Sequence, residues 1–179
     1  MIDPPSIGEV TPSVFIGGAG LVQHCAWLRA AGITHILKLY FDEPEWPDDF
    51  TVLDLPMDDG VFIEADTLRQ GVDFIHVAVG ARRRVLVVCG LGISRSATFV
   101  LAYLLEQGYD LHEAFHLLHT ARPQAWPMRR LWESLIVHYQ APYTLEEIER
   151  WLSEKDVMVA SCDNAHPRAQ ISLNIFEHE

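Results

Sequence analysis

Residues 85–105 read VLVVCGLGISRSATFVLAYLL. The first four form a continuous apolar run, as expected of a strand covered on both faces in a mostly parallel sheet. Residues 96–107 are apolar on nearly every side, which predicts a helix packed inside the molecule. Between them, CGLGISRS (89–96) joins the carboxyl end of the buried strand to the start of the buried helix. In α/β sheets that junction is where ligands bind, and the first amides of the helix point into it. Any short turn could make the connection, yet this one carries Cys89 and Arg95 among two glycines and two serines.

These residue types suit one task, which is to hold and attack an oxyanion. Gly90 and Gly92 are expected to let the backbone curl around a tetrahedral anion, where a side chain could block approach or forbid the dihedrals. Arg95 offers a planar fork that takes two phosphate oxygens at once. Cys89 lies at the floor, a thiol whose ordinary pKa is about 8.5. Helix amides, Arg95 and the Ser96 hydroxyl all favour its thiolate, and a downward shift of about 3 units needs only about 4 kcal/mol. The expected phosphate cradle is Gly90, Leu91, Gly92, Ile93, Ser94 and Arg95.

Outward from this loop the chain alternates strands and helices. SVFIGG (13–18), ITHILKLY (33–40) and FTVLDLP (50–56) read as further strands. Leu21, Cys25 and Leu28 share one helical face that stops at Gly32. After the loop MDDG (57–60), Leu68, Val72, Ile75 and Val79 mark a long amphipathic helix that ends before Arg82-Arg83-Arg84. That basic triplet enters the 85–88 strand at the end opposite the cysteine loop, so it reads as a solvated strand entry. Downstream, Asp110 with Glu113 forms a capping-box pattern before an inward stripe of Leu111, Ala114, Phe115 and Leu118. Trp132, Leu135, Ile136 and Tyr139 repeat the stripe in the next helix. The expected fold is α/β, a central mostly parallel sheet flanked by helices, with a body over residues 8–140. An acidic helix and tail over 141–179, opened by a Thr144–Glu147 capping box, have no assigned role.

Composition narrows the function classes. The 179 residues suffice for one well-buried domain, and 13 Lys+Arg against 25 Asp+Glu give a formal net charge of −12. So acidic a chain suits neither duplex nucleic acid nor an anionic membrane surface. Cys25, Cys89 and Cys162 show no framework spacing and no CxxC pair, which points to a reducing compartment, cytoplasmic or also nuclear, and away from structural zinc. Cys25 reads as core filler, and a redox pairing of Cys162 with Cys89 is a weaker alternative. The N-terminal MIDPPSIGEV lacks the basic and apolar regions of a secretory signal. His112, His116 and His119 share a helix face without a partner motif, so neither metal nor cofactor is expected.

C-G-L-G-I-S-R-S resembles the cysteine, five residues, arginine, serine signature of the protein tyrosine phosphatase superfamily, and its surroundings resemble the small atypical dual-specificity phosphatases. VFIGGAGLV, GITHIL, LPMDD and ARPQAWP extend the similarity over roughly residues 8–140. The resemblance implies that Cys89 attacks phosphorus, that the cradle amides and Arg95 hold the equatorial oxygens, and that Ser96 eases departure of the thiolate. It also implies a general acid on an upstream loop. Asp59 stands at the matching place, with Asp58 the close rival. A phosphoprotein or phosphopeptide, phosphorylated on tyrosine, serine or threonine, is the implied substrate, and oligomeric state is left open. One position departs from the pattern, because the family usually has histidine immediately before the cysteine and this chain has Val88. An active phosphatase and a catalytically weak phosphate-binding module are therefore both carried forward, and retention of both thiol and acid favours the enzyme.

Overall fold

The computed structural model describes residues 6–151, Asp42 excepted. The long apolar run becomes β5 (Arg84–Cys89), buried at every position after Arg84. Its neighbours are β2 (Val14–Gly18) and β3 (Ile33–Lys38), both parallel to it. A short strand β4 (Thr51–Asp54) extends the sheet beyond β3, and β1 (Ile7–Thr11) closes the other edge antiparallel to β2. The order is β1-β2-β5-β3-β4, so the cysteine-bearing strand is central and both its faces are covered.

β1 was not expected from the sequence. It follows two prolines and alternates only weakly, with Val10 buried and Glu9 exposed, and its partner strand supplies most of the pairing information. The Thr11 hydroxyl accepts from the backbone of Ser13 and Val14 (3.3 and 3.0 Å) and makes the turn between the two strands. β4 is shorter than FTVLDLP suggests. As an edge strand it keeps Thr51, Val52 and Asp54 in solvent.

Helices cover both sides. On one, a 3-10 turn over Ala19–His24 runs into α1 (Cys25–Ala30), and Leu21, Cys25 and Leu28 pack onto Phe15, Ile36, Leu86 and Val88. The helix stops at Gly32, whose φ is +74°. On the other lie α2 (Ala65–Gly80), α3 (Arg95–Glu106), α4 (Leu111–Ala121) and α5 (Arg129–Tyr139). α3 is the inner helix. Every residue from Ser96 to Leu104 is buried, and α3 packs against β2 and β5 as well as α2, α4 and α5. That explains its all-round apolarity. The capping box on α4 forms, with Glu113 N donating to Asp110 Oδ1 at 2.9 Å and Asp110 N to Glu113 Oε2 at 3.3 Å.

Arg84 donates to the Ala31 carbonyl (2.6 Å) and lies over the Phe15 ring at the entry of β5, at the opposite end from Cys89. The chain divides into two compact units at Leu145/Glu146, where α6 (Leu145–Trp151), the last helix of the described residues, begins. Cys162 and the rest of the acidic tail lie outside the described residues.

Candidate active site

β5 ends at Cys89 and α3 begins at Arg95, so the intervening loop is a strand-to-helix turn at the carboxyl edge of the sheet. Its carbonyls reveal how it is built. Gly90 O accepts from Ala19 N (3.0 Å), Ile93 O from Trp126 N (2.9 Å) and Ser94 O from Thr98 N (3.0 Å). Leu91 O and Gly92 O both accept from the Arg122 guanidinium, at 2.9 and 2.5 Å. With each carbonyl held outward by the scaffold, the planar peptide unit turns the amide on its other side inward. Inward amides around one centre make an anion nest.

Cys89 is 2 % exposed at the base of that nest, its Sγ 3.2 Å from the hydroxyl of the fully buried Ser96. Burial pushes its thiol pKa up. Hydrogen bonds from the Ser96 hydroxyl and from the backbone N–H groups of Ser96, Ile93 and Gly92 outweigh burial and hold the thiol below its ordinary value.

Arg95 reaches back across the loop. Nη1 donates to Leu39 O (2.9 Å) and Met57 O (2.8 Å), which fixes the fork against the end of β3 and the loop after β4. Its buried Nε has no hydrogen-bond acceptor among the described residues, and Asp59 Oδ2 stands 3.8 Å away. Asp59 also accepts from Gly60 N at 2.9 Å through Oδ1, which orients the carboxylate. Asp59, Cys89 and Arg95 all line one cleft of about 280 Å³, together with Gly90, Leu91, Ile93 and Ser94. Asp58 is exposed and does not line it. The arrangement can bind a tetrahedral oxyanion against a thiolate, with a carboxyl group on the open side.

Residues 14–141 match the family model described as the dual specificity phosphatase catalytic domain. Dual specificity protein phosphatase 14 of Mus musculus is 31% identical over 141 residues, covering 75% of this chain and 69% of that protein. Dual specificity protein phosphatase 1B of Arabidopsis thaliana is 31% identical over 124 residues, 68% of this chain and 74% of that one. The chain belongs to the dual specificity phosphatases. Among solved structures, human DUSP28 superposes with a TM-score of 0.68 at 31% identity, over 76% of this phosphatase and 95% of that chain. A human tyrosine phosphatase-like serine/threonine/tyrosine-interacting protein gives 0.68 at 27% identity over 75% and 95%. The phosphatase is thus one of the small atypical members of the protein tyrosine phosphatase superfamily.

Two of the expected loop residues occupy places other than the cleft wall. Gly92 lies behind it, with φ +70° and an added Cβ only 2.3 Å from Gly17 C, so it is demanded by the close approach of β2 and by its own dihedral. Gly90 has no such constraint; a Cβ there would meet only Arg95 Nη2, at 3.5 Å. Ser96 sits beneath the sulfur rather than beside the ligand space.

The sequence reading also missed several parts of the site. Trp126 and Met128 complete the cleft wall. Trp126 is braced edge-on by Phe115 and Trp132 (5.5 and 5.3 Å between centroids), and Met128 N donates to the Ser94 hydroxyl at 3.0 Å. Arg122, 5 % exposed, binds the loop from behind. These residues come from ARPQAWPM (121–128), of which ARPQAWP entered the family resemblance with no residue assigned a role, and whose helix-breaking prolines by themselves signal a turn. Val88 is fully buried in the apolar cluster with Tyr40, Trp46 and Phe50, on the sheet face opposite to Cys89. Among the described residues no group of three or more His, Cys, Asp or Glu side chains could hold a metal, and no helix is long and apolar enough to cross a membrane.

Proposed function

We propose that this phosphatase hydrolyses phosphotyrosine, phosphoserine and phosphothreonine in proteins through a phosphocysteine intermediate, with residues 8–140 carrying the reaction. The Cys89 thiolate attacks phosphorus in line, an S–P bond forms and the P–O bond to the leaving group breaks. Loop amides and the Arg95 guanidinium hold the equatorial oxygens while charge redistributes over them. Asp59 donates a proton to the departing oxygen. The resulting carboxylate then takes a proton from water as that water attacks phosphorus, and the S–P bond breaks to regenerate the thiolate, whose charge the Ser96 hydroxyl stabilises.

One observation carries this reading. The loop spends its carbonyls on the scaffold and its amides on the space around a thiol of lowered pKa. A module that only bound phosphate would need those amides and Arg95, whereas the thiol and the Asp59 carboxyl serve turnover alone. Val88 is the observation on the side of a weak or silent enzyme. It supplies neither charge nor hydrogen bond, yet the loop and Ser96 lower the Cys89 pKa without it.

The test is hydrolysis of a small aryl phosphate and of matched phosphotyrosine and phosphothreonine peptides by wild type beside Cys89→Ser. Wild type is expected to turn over all three, and the variant none while still binding vanadate. Turnover by Cys89→Ser at even a tenth of the wild-type rate would remove Cys89 from the role of nucleophile.

A further inference from the structure

Arg122 belongs to none of the groups that touch the reacting atoms, yet its guanidinium is almost wholly buried and its donors are spent on two segments. Nε and Nη2 hold Gly92 O and Leu91 O, while Nη1 donates to Ser6 O at 2.9 Å and Ser6 Oγ at 3.3 Å. A buried guanidinium is costly to desolvate, and burial here pushes its pKa down. Anchoring Ser6 requires only one of its nitrogens.

The covalent geometry of the loop shows what the others do. Leu91 O and Gly92 N belong to one planar peptide unit, and Gly92 O and Ile93 N to the next. Fixing the two carbonyls therefore fixes the two amides. Those amides, with that of Ser96, are the backbone donors to the Cys89 sulfur. We propose that Arg122 is a positioning residue for the phosphatase reaction, a clamp that holds the Leu91 and Gly92 carbonyls outward so that the Gly92 and Ile93 amides stay aimed at Cys89 and at the anion it meets. The Arg122 charge, behind the loop, adds an attraction for the thiolate. The other charged groups facing this sulfur are Arg95 and Asp59, which approach from the cleft.

This inference deepens the phosphocysteine reading and rests on it for its consequence in turnover, but its own observable is the state of the Cys89 thiol. Lysine at 122 keeps a positive charge and a long stem, but as a compact point donor it cannot span both carbonyls. The experiment measures the iodoacetamide alkylation rate of Cys89 against pH in Arg122→Lys, with Cys25 and Cys162 replaced by serine, beside kcat/KM for an aryl phosphate over the same pH range. Two amides released from a thiolate correspond to a pKa rise of about one unit or more, a thiolate fraction about tenfold lower below the pKa. The expected result is that shift, with kcat/KM reduced at least tenfold at low pH and, because the same amides also hold the anion, still below wild type where the thiolate is fully formed. Arg122→Gln, which fills similar space with a single donor site and no charge, reads the same quantity if the lysine variant does not fold.

A folded variant with lowered melting temperature but an unshifted Cys89 pKa overturns the proposal and leaves Arg122 as a tie between segments. Because alkylation needs no turnover, the result stands whether or not Cys89 proves to be the nucleophile in hydrolysis.

Discussion

Gly92→Ala separates the two glycines that the sequence treats alike. At position 92 alanine must adopt φ near +70°, a left-handed conformation costing an L-residue about 1–2 kcal/mol. Its methyl carbon would also fall 2.3 Å from Gly17 C, 2.5 Å from Gly17 O and 2.7 Å from Gly18 N. These are backbone atoms of a strand whose register with β5 pairs Gly17 with Val88 and Gly18 with Cys89, so β2 cannot retreat without opening the central ladder. Forcing a methyl into such packing costs about 1–3 kcal/mol more. The sum, about 2–5 kcal/mol, corresponds to a melting temperature lower by roughly 4–20 °C for a chain of this size. Gly90→Ala meets only one side-chain atom at van der Waals distance and is expected to stay within about 1 kcal/mol of wild type. Denaturant titration of the two variants with the same probe decides it. If Gly92→Ala were as stable as Gly90→Ala, the claim that β2 and the loop are locked together would be wrong.

Other outcomes follow from the cleft. Asp59→Asn is expected to slow hydrolysis of phosphates with basic leaving oxygens by about 10²–10⁴-fold and of activated aryl phosphates far less, whereas Asp58→Asn, outside the cleft, leaves both nearly unchanged; steady-state rates across a leaving-group series check this, and the reverse ranking moves the acid to Asp58. Since the folded-state pKa of Cys89 is depressed, alkylation is expected to rise with pH through a midpoint below that of a free thiol measured alongside and then level off. Ser96→Ala removes the hydroxyl 3.2 Å from the sulfur and is expected to move that midpoint up by about one unit; an unmoved midpoint in a folded protein would show that Ser96 does not stabilise the thiolate.

How far the sequence carried the account depends on the range of each interaction. The parallel core was legible because VLVV and the apolar 96–107 helix report burial on all sides, a local pattern. Likewise, Cys89 and Arg95 were visible as cleft residues because they sit on one contiguous loop. Asp59 needed the family resemblance, since its 3.8 Å approach to Arg95 is made across 36 residues of chain. Arg122, Trp126 and Met128 left no local signal. Their work is done against carbonyls and side chains about thirty residues away, and no periodicity encodes that. Gly17-Gly18 is the mirror case. It reads as the end of a strand, and only the fold shows the loop pressed against it.

Whether a covalent bond forms between Cys89 and the phosphoryl group is read by acid-quenching wild-type protein within the first turnovers of an aryl phosphate and mapping the phosphoryl adduct by peptide mass spectrometry. An adduct is expected on the peptide containing Cys89, accumulating further in Asp59→Asn, where the water that resolves it has lost its base, and absent in Cys89→Ser. Steady hydrolysis by wild type and by Asp59→Asn with no adduct at Cys89, or an adduct on another residue, would contradict that expectation.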